Sequence, residues 1–152
     1  MPFQLIVPSF PDGGAIPQLH TRDGADLAPA LEWSGEPPGT RSFALIVDDP
    51  DAPRGVWTHW LLWDIPPHVH ALAQGFVPGR LGRNGSNDFG RRGYGGPAPP
   101  RGHGPHRYFF RLLALSAPEL GLAEGASRAE VDRALEDKVL ARAAYMGRYE
   151  RK

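Results

Sequence analysis

Gly93–Leu115 reads GYGGPAPPRGHGPHRYFFRLLAL. Its first half is a loop rich in glycine and proline. Its second half, HRYFFRLLAL, alternates with the period of a β-strand. His106, Tyr108, Phe110, Leu112 and Ala114 fall on one face, and Arg107, Phe109, Arg111, Leu113 and Leu115 on the other, because successive strand side chains point to opposite sides. A histidine and a tyrosine therefore point the same way at a strand's start, directly after a constrained loop. That placement marks a candidate binding site and a chain organised around strands.

Upstream, Arg41–Asp48 reads as a strand with apolar residues on both faces, which predicts a central strand covered on each side. It runs into Asp48-Asp-Pro-Asp-Ala-Pro53, where two prolines stop the strand and stiffen the loop that carries Asp49 and Asp51. Val56–Ile65, VWTHWLLWDI, reads as a second strong strand. Strict alternation puts Trp57, His59, Leu61, Trp63 and Ile65 on one face and Val56, Thr58, Trp60, Leu62 and Asp64 on the other. A histidine amid Trp and Leu is either buried with its nitrogens satisfied by neighbouring backbone or available to a ligand. Weaker signals give a first strand in Phe3–Pro8, an edge or corner strand at Leu31–Trp33, a turn or short strand in Val69–Leu72, and a brief strand near Phe76-Val77 within a long loop, 75–104.

The C-terminal part differs. Ser127-Arg-Ala-Glu130 matches a capping box. Val131, Leu135, Val139 and Met146 recur at helical spacing, and Gly147 suits a helix C-cap. This predicts one helix from about Arg128 to Tyr145, with a kink near Asp137-Lys138 as a variant of that reading. Together the segments predict a mainly β fold with antiparallel pairing and a C-terminal helix, in one domain spanning 1–152.

At 152 residues the chain is long enough for one real core. Its 19 glycines and 17 prolines are offset by a 41% apolar fraction, which favours many turns between short strands over disorder. The formal net charge is zero, so nothing draws the molecule as a whole to nucleic acid. With no cysteine, disulfides and thiolate chemistry are excluded. The sequence shows neither a membrane span nor a signal peptide, so the default location is the cytoplasm, without integral membrane association. Six arginines and one acid lie in 80–107, a segment whose plain explanation is a solvated loop and whose alternative is a footprint for a protein partner.

Asp49, Asp51, His59, His106 and Tyr108 allow three chemistries. Imidazole, phenol and backbone N–H donors beside a Gly/Pro loop can bind a small anion. Two histidines and a carboxylate can hold a metal. Histidine and aspartate can do acid–base hydrolysis, although no nucleophile or metal motif is evident. His68 and His70 could chelate a metal weakly as alternate strand residues, although a surface loop is the plainer reading, and His20 and His103 have no clear context.

These segments resemble the phosphatidylethanolamine-binding protein family, in its bacterial Raf-kinase-inhibitor-like branch. The resemblance rests on Asp49-Pro-Asp-Ala-Pro53, then His59-Trp60, then Gly95-Gly-Pro-Ala-Pro-Pro100 and Gly104-Pro-His-Arg-Tyr108, in that order. It also takes in Ser42-Phe-Ala-Leu-Ile46, Leu31-x-Trp33 and Met146-Gly-Arg-Tyr149, and so covers nearly the whole chain. It implies an antiparallel β-sandwich whose pocket takes a small anion such as phosphate or phosphoethanolamine. The carried-over ligand-binding residues are Asp49, Asp51, Trp57, His59, Ala98, Pro99, Pro100, His106 and Tyr108. Ala98 stands where the family usually has cysteine. No catalytic residue, metal or cofactor is implied. The family name associates a kinase or other protein partner, and relatives imply a homodimer. The leading function is non-enzymatic ligand binding, with regulation of a protein partner such as a kinase, or a hydrolase or metal-dependent enzyme using the Asp/His pocket, as alternatives. If both imidazoles are charged by nearby carboxylates, anion binding strengthens as pH falls toward about 6.

Overall fold

The computed structural model describes residues 2–152. In chain order the strands are β1 (Gln4–Ile6), β2 (Leu31–Ser34), β3 (Ser42–Asp49), β4 (Trp57–Ile65), β5 (Ala71–Leu72), β6 (Arg83–Asn84) and β7 (His106–Leu115). Helix α1 (Arg128–Leu135) follows, and then β8 (Val139–Tyr149). The order β6-β4-β3-β7-β8 makes one sheet and β1-β2-β5 a smaller one, with antiparallel pairing in both.

The two sheets share a core. Phe43, Leu45 and Val47 of β3 and Tyr108, Phe110 and Leu112 of β7 meet Leu5, Leu31, Trp33 and Leu72 of the smaller sheet. The opposite face of the large sheet carries Ala44, Ile46, Leu113 and Leu115, covered by Val131 and Leu135 of α1. Both faces of β3 are therefore buried, whereas the first half of β7 buries only the His106–Tyr108–Phe110 face and leaves Arg107 exposed. Each large apolar side chain so buried contributes about 1.5–3 kcal/mol.

In β4 the strict alternation fails twice. Val47 pairs with Trp60 but Asp48 pairs with Thr58, which leaves His59 as an extra residue in a bulge. His59 and Trp60 consequently face the same side. Near the other end Leu45 pairs with Leu62 and Phe43 with Ile65, and Asp64 takes a left-handed backbone (φ 57). Leu61 and Trp63 thus join the α1 side, while Trp60, Leu62 and Ile65 join the core between the sheets. Trp57 and His59 do share a face, as expected, but not with Leu61 and Trp63.

The predicted helix over 128–145 is half correct. Ser127 and Glu130 form the full capping box, and α1 then stops at Leu135. Glu136 is extended (φ −54, ψ 134) and Asp137 is left-handed (φ 64), which turns the chain back toward the sheet. Val139–Tyr149 pairs along the whole of β7. Its alanines suit a helix by propensity, yet here they suit a strand pressed against other groups. A methyl on Gly147 would overlap the Ile16 and Phe10 side chains. Gly147 is thus a close-packing position and not a helix cap.

Two smaller expectations also change. β2 is the middle strand of its sheet and not an edge, and the ladder segment in 75–104 is β6 at Arg83–Asn84 and not Phe76-Val77.

Candidate functional site

β3 ends with two consecutive carboxylates on opposite faces. Asp48 turns toward α1, where Arg111 (3.1 Å) and Arg128 (3.2 Å) pair with it. Asp49 turns toward the core between the sheets. Its Oδ2 accepts from Nδ1 of His106 (2.6 Å) and its Oδ1 from the Asp51 backbone N–H (2.7 Å). The clamp on Asp48 thereby fixes the strand end from which Asp49 projects.

The bulge in β4 directs His59 to the same place. Its Nδ1 lies 2.5 Å from the Gly95 carbonyl. A carbonyl can only accept, so Nδ1 carries the proton and neutral His59 has its lone pair on Nε2. Burial holds the imidazole below its ordinary pKa, against the opposing pull of the Gly95 hydrogen bond and the Asp49 charge. His59 is therefore neutral near pH 7. Tyr108 packs edge-on against it, with ring centroids 5.2 Å apart. The Tyr108 hydroxyl is buried without a hydrogen-bond partner. Burial raises its pKa, so it remains a donor.

Asp49, His59, His106 and Tyr108 line a cavity of about 180 Å³, together with Trp57, Ala98, Pro99 and Pro100. The structure thus brings eight of the nine expected residues to one place. Asp51 is the exception. Its carboxylate accepts from Nε (2.9 Å) and Nη2 (2.8 Å) of Arg107, which holds it down to about 2. Asp51 shapes the loop, and its charge is spent on the outside.

Phe89, Ala52 and Pro53 also line the cavity. Phe89 packs edge-on against both Trp57 (5.5 Å) and His59 (5.4 Å), and the Arg22 guanidinium covers it at 4.7 Å. Its signal in the sequence is a lone aromatic within a Gly/Asn/Arg loop. Asn87 positions it by accepting from the Phe89 N–H (3.0 Å).

His106 differs from its expected role. Its Nε2 lies 2.6 Å from Nδ1 of His103, so both nitrogens are engaged and neither is free to point a donor into the cavity. His20 is also not idle. It is buried, with Nδ1 on the Leu27 carbonyl (2.9 Å) and Nε2 on Ser9 Oγ (3.0 Å). His70 pairs with Glu36 at 2.8 Å, far from the cavity. Among the described residues no group of three or more His, Asp or Glu side chains is placed to hold a metal.

The architecture defines a class: an antiparallel β-sandwich with one short helix and a small, largely apolar pocket holding a few polar groups at the end of its central strands. A sequence model described as phosphatidylethanolamine-binding protein matches residues 7–150, and the chain belongs to that family. The UPF0098 protein of Aquifex aeolicus is 52% identical over 146 residues, covering 94% of this chain and 85% of its own. The structure of Escherichia coli YbcL, described as a member of the mammalian PEBP family, is 34% identical with a TM-score of 0.93 and covers 100% of both chains. A Mycobacterium tuberculosis protein named as a lipoprotein, LppC, is 38% identical over 149 residues, covering 98% of this chain and 73% of its own. Among the described residues no helix is long and apolar enough to cross a membrane. LppC's name means that family membership does not by itself place the chain in the cytoplasm.

Proposed function

We propose that the protein is a binding protein for inorganic phosphate or a small phosphomonoester such as phosphoethanolamine, held in the cavity between Asp49, His59 and Tyr108. The observation that carries this reading is the Tyr108 hydroxyl, buried without a partner on a ring packed edge-on against a neutral His59 whose only hydrogen bond is made through Nδ1. One group donates and the other accepts. A ligand with both a P–O⁻ and a P–OH satisfies both. A buried unsatisfied polar group costs about 1–3 kcal/mol, and the ligand removes that cost. Asp49 does not oppose this with bare charge, since His106 and the Asp51 amide occupy its oxygens. The cavity is smaller than the roughly 300–1,000 Å³ typical of sites for drug-sized molecules, which fits a headgroup and not a whole lipid. An ammonium on the ligand would rest against Trp57, which is 36% exposed at the rim.

The test is a calorimetric titration at about pH 6 and about pH 8, bracketing the ordinary imidazole value. Inorganic phosphate keeps a P–OH throughout this range and is expected to bind at both. Phosphoethanolamine, whose second ionisation lies near pH 6, is expected to bind more tightly at the lower pH. A phosphodiester lacks the P–OH and is expected to bind poorly at about pH 8. Equal affinity for phosphate and diester at the higher pH contradicts the donor–acceptor pairing, and no saturable binding of either phosphate or phosphoethanolamine contradicts the function.

A further inference from the structure

Beyond the cavity, Asp49, His106 and His103 form a hydrogen-bonded chain that runs from the core to solvent. We propose that His103 is a nucleophile that accepts a phosphoryl group from small donors, activated by the buried His106–Asp49 pair. This inference does not rest on what the cavity binds.

In the neutral form of the chain, which the proposal takes as the reactive one, each proton has one place. Asp49 and His106 are 3% and 2% exposed, whereas His103 is exposed. The Asp49 carboxylate accepts, so Nδ1 of His106 donates across 2.6 Å. Neutral His106 is then left with a lone pair at Nε2. Nδ1 of His103, 2.6 Å away, must therefore donate to it. That leaves the lone pair of His103 on Nε2, the nitrogen outside the chain. Gly102 and Gly104 flank His103, both with left-handed backbones (φ 74 and 83), and a methyl on either would meet no atom within 4 Å. The loop tip is open to a small reagent. Arg101 lies exposed in the same loop, with its Nη1 donating to the Lys152 carbonyl (3.4 Å).

The step balances as follows. The Nε2 lone pair of His103 attacks the phosphorus of phosphoramidate, forming an N–P bond. The donor's own P–N bond breaks, and ammonia leaves with the electron pair. The His103 ring becomes cationic and passes its Nδ1 proton to Nε2 of His106. His106 is now an imidazolium with one N–H on the Asp49 carboxylate and the other on phosphorylated His103. An isolated surface histidine has no such acceptor and must lose its proton to water.

His68 is the internal control, because it is also exposed but lies outside any such chain. The experiment incubates the folded protein with phosphoramidate near neutral pH and follows acid-labile phosphorylation by intact mass and peptide mapping. His103 is expected to react at least about tenfold faster than His68, a modest share of what a positioned base supplies. His106→Gln places an amide oxygen where it can hold the His103 N–H but cannot take up its proton. In that variant, the His103 rate is expected to fall to that of His68. The same ratio measured in native and in urea-unfolded wild-type protein decides the matter without any variant, since unfolding removes the chain and should equalise the two sites. Equal labelling of His103 and His68 in the native protein overturns the proposal, and so does wild-type reactivity in a folded His106→Gln variant.

Discussion

Tyr108 places a hydroxyl in the core region without a hydrogen-bond partner. A protein shaped only for stability would carry phenylalanine there. Tyr108→Phe is accordingly expected to melt at the same temperature as wild type or higher, because it removes an unsatisfied polar atom worth about 1–3 kcal/mol. A marked loss of thermal stability, measured by circular dichroism, would mean that the hydroxyl has a structural partner. His59 makes a second prediction through pH. Burial holds its folded pKa below the ordinary 6.5, so the unfolded chain takes up that proton first. The sign follows directly: stability is fully present above about pH 6.5 and falls as pH drops below it. Asp51, held at about 2 against an ordinary 3.8, adds stability above that ordinary value which is lost as pH falls toward 2. The pair is largely exposed, so that second step is small. His59→Gln should flatten the first step in a series of melts from neutral to acid pH. A wild-type melting temperature constant down to pH 5 would contradict it. Period-2 reading was enough to place His106 and Tyr108 on one face. It could not give the partner of His106, since the His103 contact depends on how a loop with left-handed glycines folds back.

At the scale of elements, β3 was legible because both its faces are apolar, and β7 because its alternation is unbroken, with arginines confined to the first half of one face. β4 was legible as a strand but not in phase, because a bulge adds a residue without a sequence mark. That bulge is what puts His59 beside Tyr108. β8 was misread because alanine-rich segments favour helices by local propensity, and pairing along β7 overrides that preference. Gly147→Ala tests the close packing of this strand. In this strand the added methyl overlaps Ile16 and Phe10, and a destabilisation of about 1–3 kcal/mol is expected from denaturant melts. Asp48→Ala tests the clamp between β3, β7 and α1. Removing the carboxylate leaves Arg111 and Arg128 facing each other, and a loss of about 1–3 kcal/mol is expected, below the figure for a fully buried pair because both guanidiniums reach solvent. An unchanged denaturation midpoint would show that Asp48 does not tie these elements together.

At the scale of the whole molecule, the unpaired Tyr108 hydroxyl and the cavity beside it lie at the end of the two central strands. There the sandwich opens and the Pro-rich loop closes over it. Fold class and family were legible from the sequence because the motifs recur in order along nearly the whole chain, while the chemistry of the pocket was not. Charged imidazoles were the natural expectation, and the folded molecule instead buries one neutral histidine and engages the other on both sides. That changes what the cavity asks of a ligand, from pure negative charge to an acceptor and a donor together. The most direct measurement is a calorimetric titration of inorganic phosphate into wild type and Tyr108→Phe near neutral pH. Saturable one-to-one binding by wild type is predicted, with affinity lowered by about 1.5–3 kcal/mol in a fully folded Tyr108→Phe, the range for a hydrogen bond to a charged group. Equal affinity in the two proteins, or no binding by wild type, would contradict the account.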